Sequence, residues 1–331
     1  MQATHSNYTR AHGGATPPYL EYFLEPQPDT VVVDLLQMEQ AARYCGKRNR
    51  NIVVQVDPDT VRLEPDYRWV TLGDLLSLAR HPNALNLDTR SVLSCMPFAR
   101  IGSAGPASDD APFSARVLRS LTADCDPGRL QAIRAWLGGL SRRLWMETHR
   151  APLRDVTGWR HEGGMIAHER GGFFEVLGVT VEAPTREVPR WDQPLVRSRG
   201  RGIIGFLCQQ REGMLRFLVR GVLEPGDPGV RMGPTVQCMR ESHTVMPAFV
   251  DAIAHAPDSR VRARFVQSEE GGRFYHDERL LLVVELPAEA PVDAPPEFLW
   301  MTLRELKEMI RRDGHVNIEA RSLVACLPIG G

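Results

Sequence analysis

Long apolar runs are missing from this 331-residue chain. Stretches such as Leu280-Leu281-Leu282-Val283-Val284 are far too short to span a bilayer. The first twenty residues are polar, so no secretory signal is expected. Neither sign of charge is in excess. The formal net charge is −1 and the pI is near 6.8, which leaves no basic footprint for nucleic acid and no polybasic membrane patch. Six cysteines lie scattered without a Cys-x-x-Cys, and ten histidines form no His-x-His and no His-Glu-x-x-His, so no metal site is expected. A Gly-x-Ser-x-Gly nucleophile elbow is also lacking. These absences describe a soluble, reduced, cytoplasmic protein.

What is present is an ordinary globular composition, 43% hydrophobic and 24% charged, in a chain long enough for two domains. Its most informative feature is self-similarity. Trp69-Val70-Thr71-Leu72 returns as Trp300-Met301-Thr302-Leu303. Asn86, Arg90-Ser91, Cys95 and Pro97 match Asn317, Arg321-Ser322, Cys326 and Pro328 at the same offset of 231. Gln37, Glu39 and Arg43 match Gln267, Glu269 and Arg273 at an offset of 230, with Val33 and Leu35 opposite Ala263 and Phe265. Solenoid repeats recur every ~20–50 residues, so a duplicated domain is the better reading. Cys95 and Cys326 stand in apolar surroundings, as small core residues do.

Tyr19–Phe23, Thr30–Leu36 and Asn51–Val56 read as strands, rich in β-branched and aromatic residues between Pro, Asp and Gly. Thr71-Leu-Gly-Asp74 and Thr302-Leu-Arg-Glu305 each open a helix with a capping-box pattern, and second helices follow at Leu87–Cys95 and Ile318–Cys326. Residues 99 to about 110 form a linker, and Leu130–Thr148 has the period of an amphipathic helix. Beyond Gly171 the chain turns strand-rich, with Phe173–Val181 and a hairpin of Ile203–Gln209 and Met214–Leu223 about Arg211-Glu-Gly213. Strands first and two short helices last make an α+β fold in each unit.

Two motifs are rejected on context. Gly200-Arg-Gly202-Ile-Ile-Gly205 spells a dinucleotide fingerprint, but a strand rather than a helix is expected after it. Arg304-Glu305-Leu306-Lys307-Glu308 resembles the core of a Nudix box, yet the second Glu that would hold magnesium is replaced by Met309. Its charges are expected on the wet face of a capped helix.

Three segments carry more polar chemistry than folding requires. The first runs from Gln2 to Gly14 and holds Thr4, His5, Ser6, Asn7, Tyr8 and His12. The second is Lys47-Arg48-Asn49-Arg50-Asn51, whose donors suit a diphosphate; its counterpart, Asp277-Glu278-Arg279, has lost most of that positive charge. The third is Gln37-Met-Glu39-Gln40 with its partner Gln267-Ser-Glu269-Glu270, where a repeated Glu is either a general base or a buried structural group.

These segments, with Tyr-Leu-Glu-Tyr-Phe at 19–23, Asn-Leu-Asp-Thr-Arg-Ser-Val-Leu-Ser-Cys at 86–95, Gly-Gly-Phe-Phe-Glu-Val at 171–176, Trp-Asp-Gln-Pro-Leu at 191–195 and Ser-Glu-Glu-Gly-Gly-Arg-Phe-Tyr at 268–275, resemble the NDP-hexose 2,3-dehydratase family. The resemblance covers nearly the whole chain outside the linker. It implies tandem Nudix-like modules without the metal box, a homodimer, dTDP-4-keto-6-deoxyglucose as substrate and no cofactor. Residues 1–98 would then be the back half of a first module, 99–150 a linker and helix, and 151–331 a complete second module. The first module's front half is expected to be missing, by truncation.

The implied reaction removes water across C2–C3. His5, His12 and Glu39 are candidate bases, and Tyr8 is the candidate acid. Histidine titrates near neutrality untuned, whereas Glu39 needs burial to raise its pKa. Thr4, Ser6 and Asn7 would face the sugar, and Lys47, Arg48 and Arg50 the diphosphate. Trp159, Trp191, Gln267, Glu269, Arg279 and Arg321 would form a second, vestigial or regulatory nucleotide-sugar pocket. The competing reading is an inactive homologue that binds the dTDP-sugar without dehydrating it.

Overall fold

A computed structural model describes residues 16–40, 42–98, 111–171, 173–186, 188–238 and 247–329. Thr4, His5, Ser6, Asn7, Tyr8, His12 and the linker at 99–110 lie outside the described residues. The expected strand at Tyr19–Phe23 is instead the short helix α1 (Glu21–Leu24). Tyr19 sits at φ 64, and its phenol donates to Arg62 O at 3.0 Å and accepts from Glu64 N at 2.7 Å. Tertiary anchoring of one ring overrides the local aromatic pattern.

The next elements follow the sequence closely. β1 (Val31–Met38) and β2 (Arg48–Val54) pair antiparallel, with a register shift between Val31 and Val33. Lys47 stands in the turn before β2, and Arg48–Asn51 lie within that strand. Helices α2 (Leu72–Leu78) and α3 (Leu87–Cys95) come next, then α4 (Phe113–Thr122) and α5 (Pro127–Arg143). Helix α5 starts before the expected Leu130 because the Asp126 carboxylate caps Gly128 N and Arg129 N and Pro127 opens its first turn.

A four-stranded antiparallel sheet follows, β3 (Trp159–Glu162), β4 (Met165–His168), β5 (Glu175–Glu182) and β6 (Arg190–Arg197), in that order. The hairpin β7 (Gly202–Arg211) and β8 (Met214–Val222) turns at Glu212 and Gly213, both at positive φ as a two-residue loop of this hand demands. Gly200 and Gly202 lead into this strand, so no helix N-terminus stands behind the would-be dinucleotide fingerprint. After β9 (Arg231–Gly233), β10 (Val236–Cys238) and α6 (Pro247–Ala254), the pair β11 (Val261–Ser268) and β12 (Glu278–Leu286) forms with a shift between Val261 and Ala263. That shift stands where the one in β1 does. Strand β13 (Phe298–Thr302) and helices α7 (Leu303–Ile310) and α8 (Ile318–Ala325) complete the chain. The large sheet runs β11-β12-β7-β8-β13, with β12 parallel to β7 and β10 and β9 at its flanks. Residues 202–208 of β7 are all buried, the unbroken pattern of a strand covered on both faces.

The matched helices start alike. Thr71 and Asp74 exchange capping bonds, as do Thr302 and Glu305, while the Asn86 and Asn317 side chains cap Thr89 N and Ala320 N. Yet Glu305 and Lys307, expected in water, are buried at 6% and 4% exposure. Helix α7 is packed on α4, β8 and β13. Glu305 takes Arg129 at 3.2 Å, and the Lys307 ammonium donates to Ser94 O and lies 4.6 Å from the Phe98 ring centre. Cys95 and Cys326 are both fully buried, as their apolar surroundings predict.

The two halves of the chain share one apolar cluster, to which Val33, Leu76, Ala79, Cys95 and Phe98 contribute alongside Phe206, Phe217, Leu306 and Leu323. Across it the matched stretches exchange equivalent bonds. Arg90 Nε donates to Ser322 Oγ at 2.8 Å, and Arg321 Nε to Ser91 Oγ at 3.2 Å. Arg90 also donates to Gln267 Oε1, Leu85 O and Ser268 O; Arg321 donates to Gln37 Oε1, Val316 O and Met38 O. Gln37 in turn donates to Ile310 O and Gln267 to Ala79 O. The end of each half's first matched strand is thus bolted to the helices of the other half.

Candidate active site

The brace fixes two carboxylate clusters. In an extended chain neighbouring side chains point opposite ways. Beyond β1, Glu39 faces one cluster and Gln40 the other; beyond β11, Glu270 faces the first and Glu269 the second.

The first cluster holds Glu39, Asp88 from the first turn of α3, and Glu270, with one carboxylate oxygen of each within 4.8 Å of the others. Glu39 and Glu270 are buried and Asp88 is half-buried. Arg273 reaches in from the other half, its Nη1 2.9 Å from Glu270 and 3.5 Å from Glu39, and its guanidinium lies over the Tyr44 ring at 4.8 Å. Burial raises the Glu39 pKa, Asp88 reinforces this, and Arg321, Arg273 and Lys47 oppose it. Burial, with Asp88 and Glu39 close by, pushes Glu270 up to about 7. Asp88 is raised by burial as well. Three close carboxyls are also a possible divalent-cation cradle, but Arg273, Arg321 and Lys47 already supply positive charge there.

The second cluster lines a cavity of about 240 Å³ between β7, β10 and α8, with Gln40, Arg43, Glu224, Gln237, Glu269, Arg279 and Glu319 in its wall. Gln40 donates to Glu269, and Arg279 pairs with Glu269 at 3.0 Å and with Asp277 at 2.7 Å. Burial raises Glu319 well above the usual range, Glu224 adds to this, and Glu269 and Glu224 are themselves raised mainly by burial. Gln237 donates to Glu224 at 3.0 Å and accepts from Asn317 at 2.8 Å. Arg43 lies 4.4 Å over the Phe174 ring, which packs on Trp159 at 4.8 Å.

The family follows from comparison with known proteins. The sequence model of a family described as NDP-hexose 2,3-dehydratase matches residues 1–96 and 130–327. This chain belongs to that family. A dTDP-4-dehydro-6-deoxy-alpha-D-glucopyranose 2,3-dehydratase of Saccharopolyspora spinosa is 39% identical over 335 residues, which span 99% of this chain and 68% of the relative. Proteins of the same name from Amycolatopsis orientalis and Streptomyces violaceoruber are each 37% identical over 99% of this chain and over 66% and 72% of their own lengths. The chain therefore spans about two thirds of the length of these relatives.

Within this family member, the residues singled out from sequence fall into groups. Glu39 is in the first cluster, and Lys47, in the turn between β1 and β2, reaches it by charge. Arg48 and Arg50 lie on the other face of β2. Arg50 is paired with Asp34 through two bonds of 2.7 Å, and Arg48 Nε points at Met38 Sδ at 3.2 Å. Glu269 and Arg279 line the second cavity, whereas Gln267 and Arg321 are in the brace. Trp159 touches the second cavity only through Phe174 and Arg43, and Trp191 Nε1 bonds Gln193 Oε1 on β6. Asp88, Glu270, Arg273 and Glu319 were not singled out as site residues. The offset of 231 that aligns Asn86 with Asn317 and Arg90 with Arg321 also aligns Asp88 with Glu319, and that was the available signal.

The raised Glu270 has a consequence for stability. Its folded pKa of about 7 lies above the ordinary carboxyl value of 4.5, so the folded state binds the extra proton between these limits. This contribution is complete below pH 4.5 and is lost as pH rises through 7. Urea unfolding of Glu270→Gln across this range is expected to show a smaller loss of stability with rising pH than the parent. An identical profile would mean that Glu270 titrates normally.

Proposed function

We propose that this chain eliminates water across C2–C3 of dTDP-4-keto-6-deoxyglucose, with the first carboxylate cluster as its catalytic centre. The observation that carries this reading is the trio Glu39, Asp88 and Glu270, held close together in unequal surroundings. A dehydration needs a base and an acid side by side, and crowded carboxyls that resist ionising together supply both, one charged and one protonated. The C4 ketone acidifies C3–H. Glu39, with Arg321, Arg273 and Lys47 favouring its charged form, takes that proton. The electron pair forms an enolate, the C2–O bond breaks, and the departing hydroxyl receives a proton from Glu270 to leave as water. The enol product then tautomerises to a 3,4-diketone. Electrons and protons balance without an oxidant.

Lys47 is assigned to the substrate's phosphates. Thr4, Ser6, Asn7 and Tyr8 are assigned to the sugar and its enolate oxygen, and His5 and His12 are the alternative bases. The cavity of Glu269, Arg279 and Glu319 is read as the ancillary nucleotide-sugar pocket. The matched register shifts, caps and arginine bonds support descent of both units from one Nudix-like ancestor. Six free thiols suit a reducing cytoplasm, and no helix among the described residues is long and apolar enough to cross a membrane. A homodimer is the assembly we assign.

The test incubates folded protein with dTDP-4-keto-6-deoxyglucose and follows loss of water by mass spectrometry. Time-dependent loss of one water per substrate is expected. Binding of the nucleotide sugar with no such loss from pH 6 to 9 would overturn the reading in favour of an inactive binding homologue.

A further inference from the structure

Arg48 was expected to serve the catalytic pocket, but β2 turns it to the opposite face, where it lines a separate cavity of about 330 Å³. The other wall is the α5 helix, which contributes Arg134 and Ser141, and the third side is the loop of Gly314 and His315. The floor is Arg231, only 5% exposed. Its Nε is held by Asp227 and its Nη1 by Gly314 O, which leaves Nη2 outside both bonds. Gly314 is at φ +68, and a Cβ there would stand 2.8 Å from Arg231 Nη1. The glycine is what lets the loop close over the guanidinium.

The geometry points to an anion site at this cavity, one that takes a phosphate-bearing small molecule independently of the two carboxylate clusters. Arg48 and Arg134 are exposed and face the same space from opposite walls. Neither has a carboxylate partner among the described residues. Guanidinium forks bind phosphate oxygens in pairs, and three arginines converge here against a single carboxylate in the lining, so an oxyanion is favoured there. Asp313 also lines the cavity, but one of its carboxylate oxygens already accepts from Leu36 N at 2.9 Å. Ser141 Oγ accepts from Val230 N at 3.3 Å and keeps its own proton free to donate. A glycine lines each side, Gly138, Gly229 and Gly314, so backbone rather than side chain meets the ligand. A cavity of this size admits a diphosphate group or a phosphomonoester.

The probe is inorganic diphosphate, titrated calorimetrically into the full chain with chloride holding ionic strength constant. One saturable site per chain is expected, persisting when dTDP saturates the nucleotide pocket. Arg134→Ala is expected to weaken diphosphate binding at least tenfold, with the melting temperature in chloride and the affinity for dTDP unchanged. Arg134→Glu should abolish it, and inorganic phosphate should bind the same site more weakly. Three results would each overturn the proposal: no saturable binding, binding unaffected by both Arg134 variants, or complete displacement by dTDP. None of these readouts depends on dehydratase activity.

Discussion

Arg321→Ala is expected to destabilise the fold by about 3–5 kcal/mol, the loss seen when one member of a buried charged network is deleted. Arg321 is fully buried, and its guanidinium serves four acceptors: Ser91 Oγ at 3.2 Å, Gln37 Oε1 at 3.4 Å, Val316 O at 2.7 Å and Met38 O at 2.9 Å. Truncation strands two carbonyls and opens a void in the middle of the brace. Lysine is not an adequate substitute, because one ammonium cannot reach acceptors spread around a planar fork. Arg50→Ala provides the contrast. Its pair with Asp34 is 42% and 41% exposed, and such pairs contribute about 0–1 kcal/mol. Urea unfolding separates the two. A loss under about 1 kcal/mol for Arg321→Ala would show that the brace does not hold the halves together.

Glu39→Gln is expected to lower kcat by about 10²–10⁴-fold, the usual worth of a positioned acid–base group, with KM changed only severalfold. Glutamine keeps the size of the side chain and its acceptor toward Arg273, but it cannot take the C3 proton. Glu270→Gln also removes a carboxyl, but there the missing function is proton donation to the leaving hydroxyl. The two variants therefore differ in what accumulates: none of the first step's proton exchange with Glu39→Gln, and exchange without water loss with Glu270→Gln. A Glu39→Gln variant that turns over at the parental rate would transfer the base to His5 or His12.

Local signals made much of the fold legible. Thr71 with Asp74, Thr302 with Glu305, and the asparagines at 86 and 317 announce helix starts because a cap acts within one turn. β1, β2, β7 and β8 follow from β-branched runs between turn residues. Tyr19 and Lys307 were misplaced for the same physical reason, since each is fixed by a partner far along the chain: Arg62 and Glu64 for one, Ser94 and Phe98 for the other. Helix α4 went unread, although Ser120 Oγ bonds Leu215 O and Leu303 N and so ties α4 to both β8 and α7. At the site, the repeated Glu drew attention to Glu39 and Glu269, which stand in different clusters. Nothing linear says that Glu270 and Arg273 complete the cluster of Glu39, or that Gln40 and Arg43 complete that of Glu269. That exchange is set by strand ends bonded to the opposite helices, a property of the folded chain alone.

We assign the chemistry to the cluster of Glu39 and not to its counterpart around Glu269. The direct measurement runs the reaction in D₂O with the parent, Glu39→Gln and Glu269→Gln, and reads water loss and deuterium at C2 of the product by mass spectrometry. This assignment requires both signals for the parent and Glu269→Gln, and neither for Glu39→Gln. Loss of both signals in Glu269→Gln, with Glu39→Gln active, would contradict it.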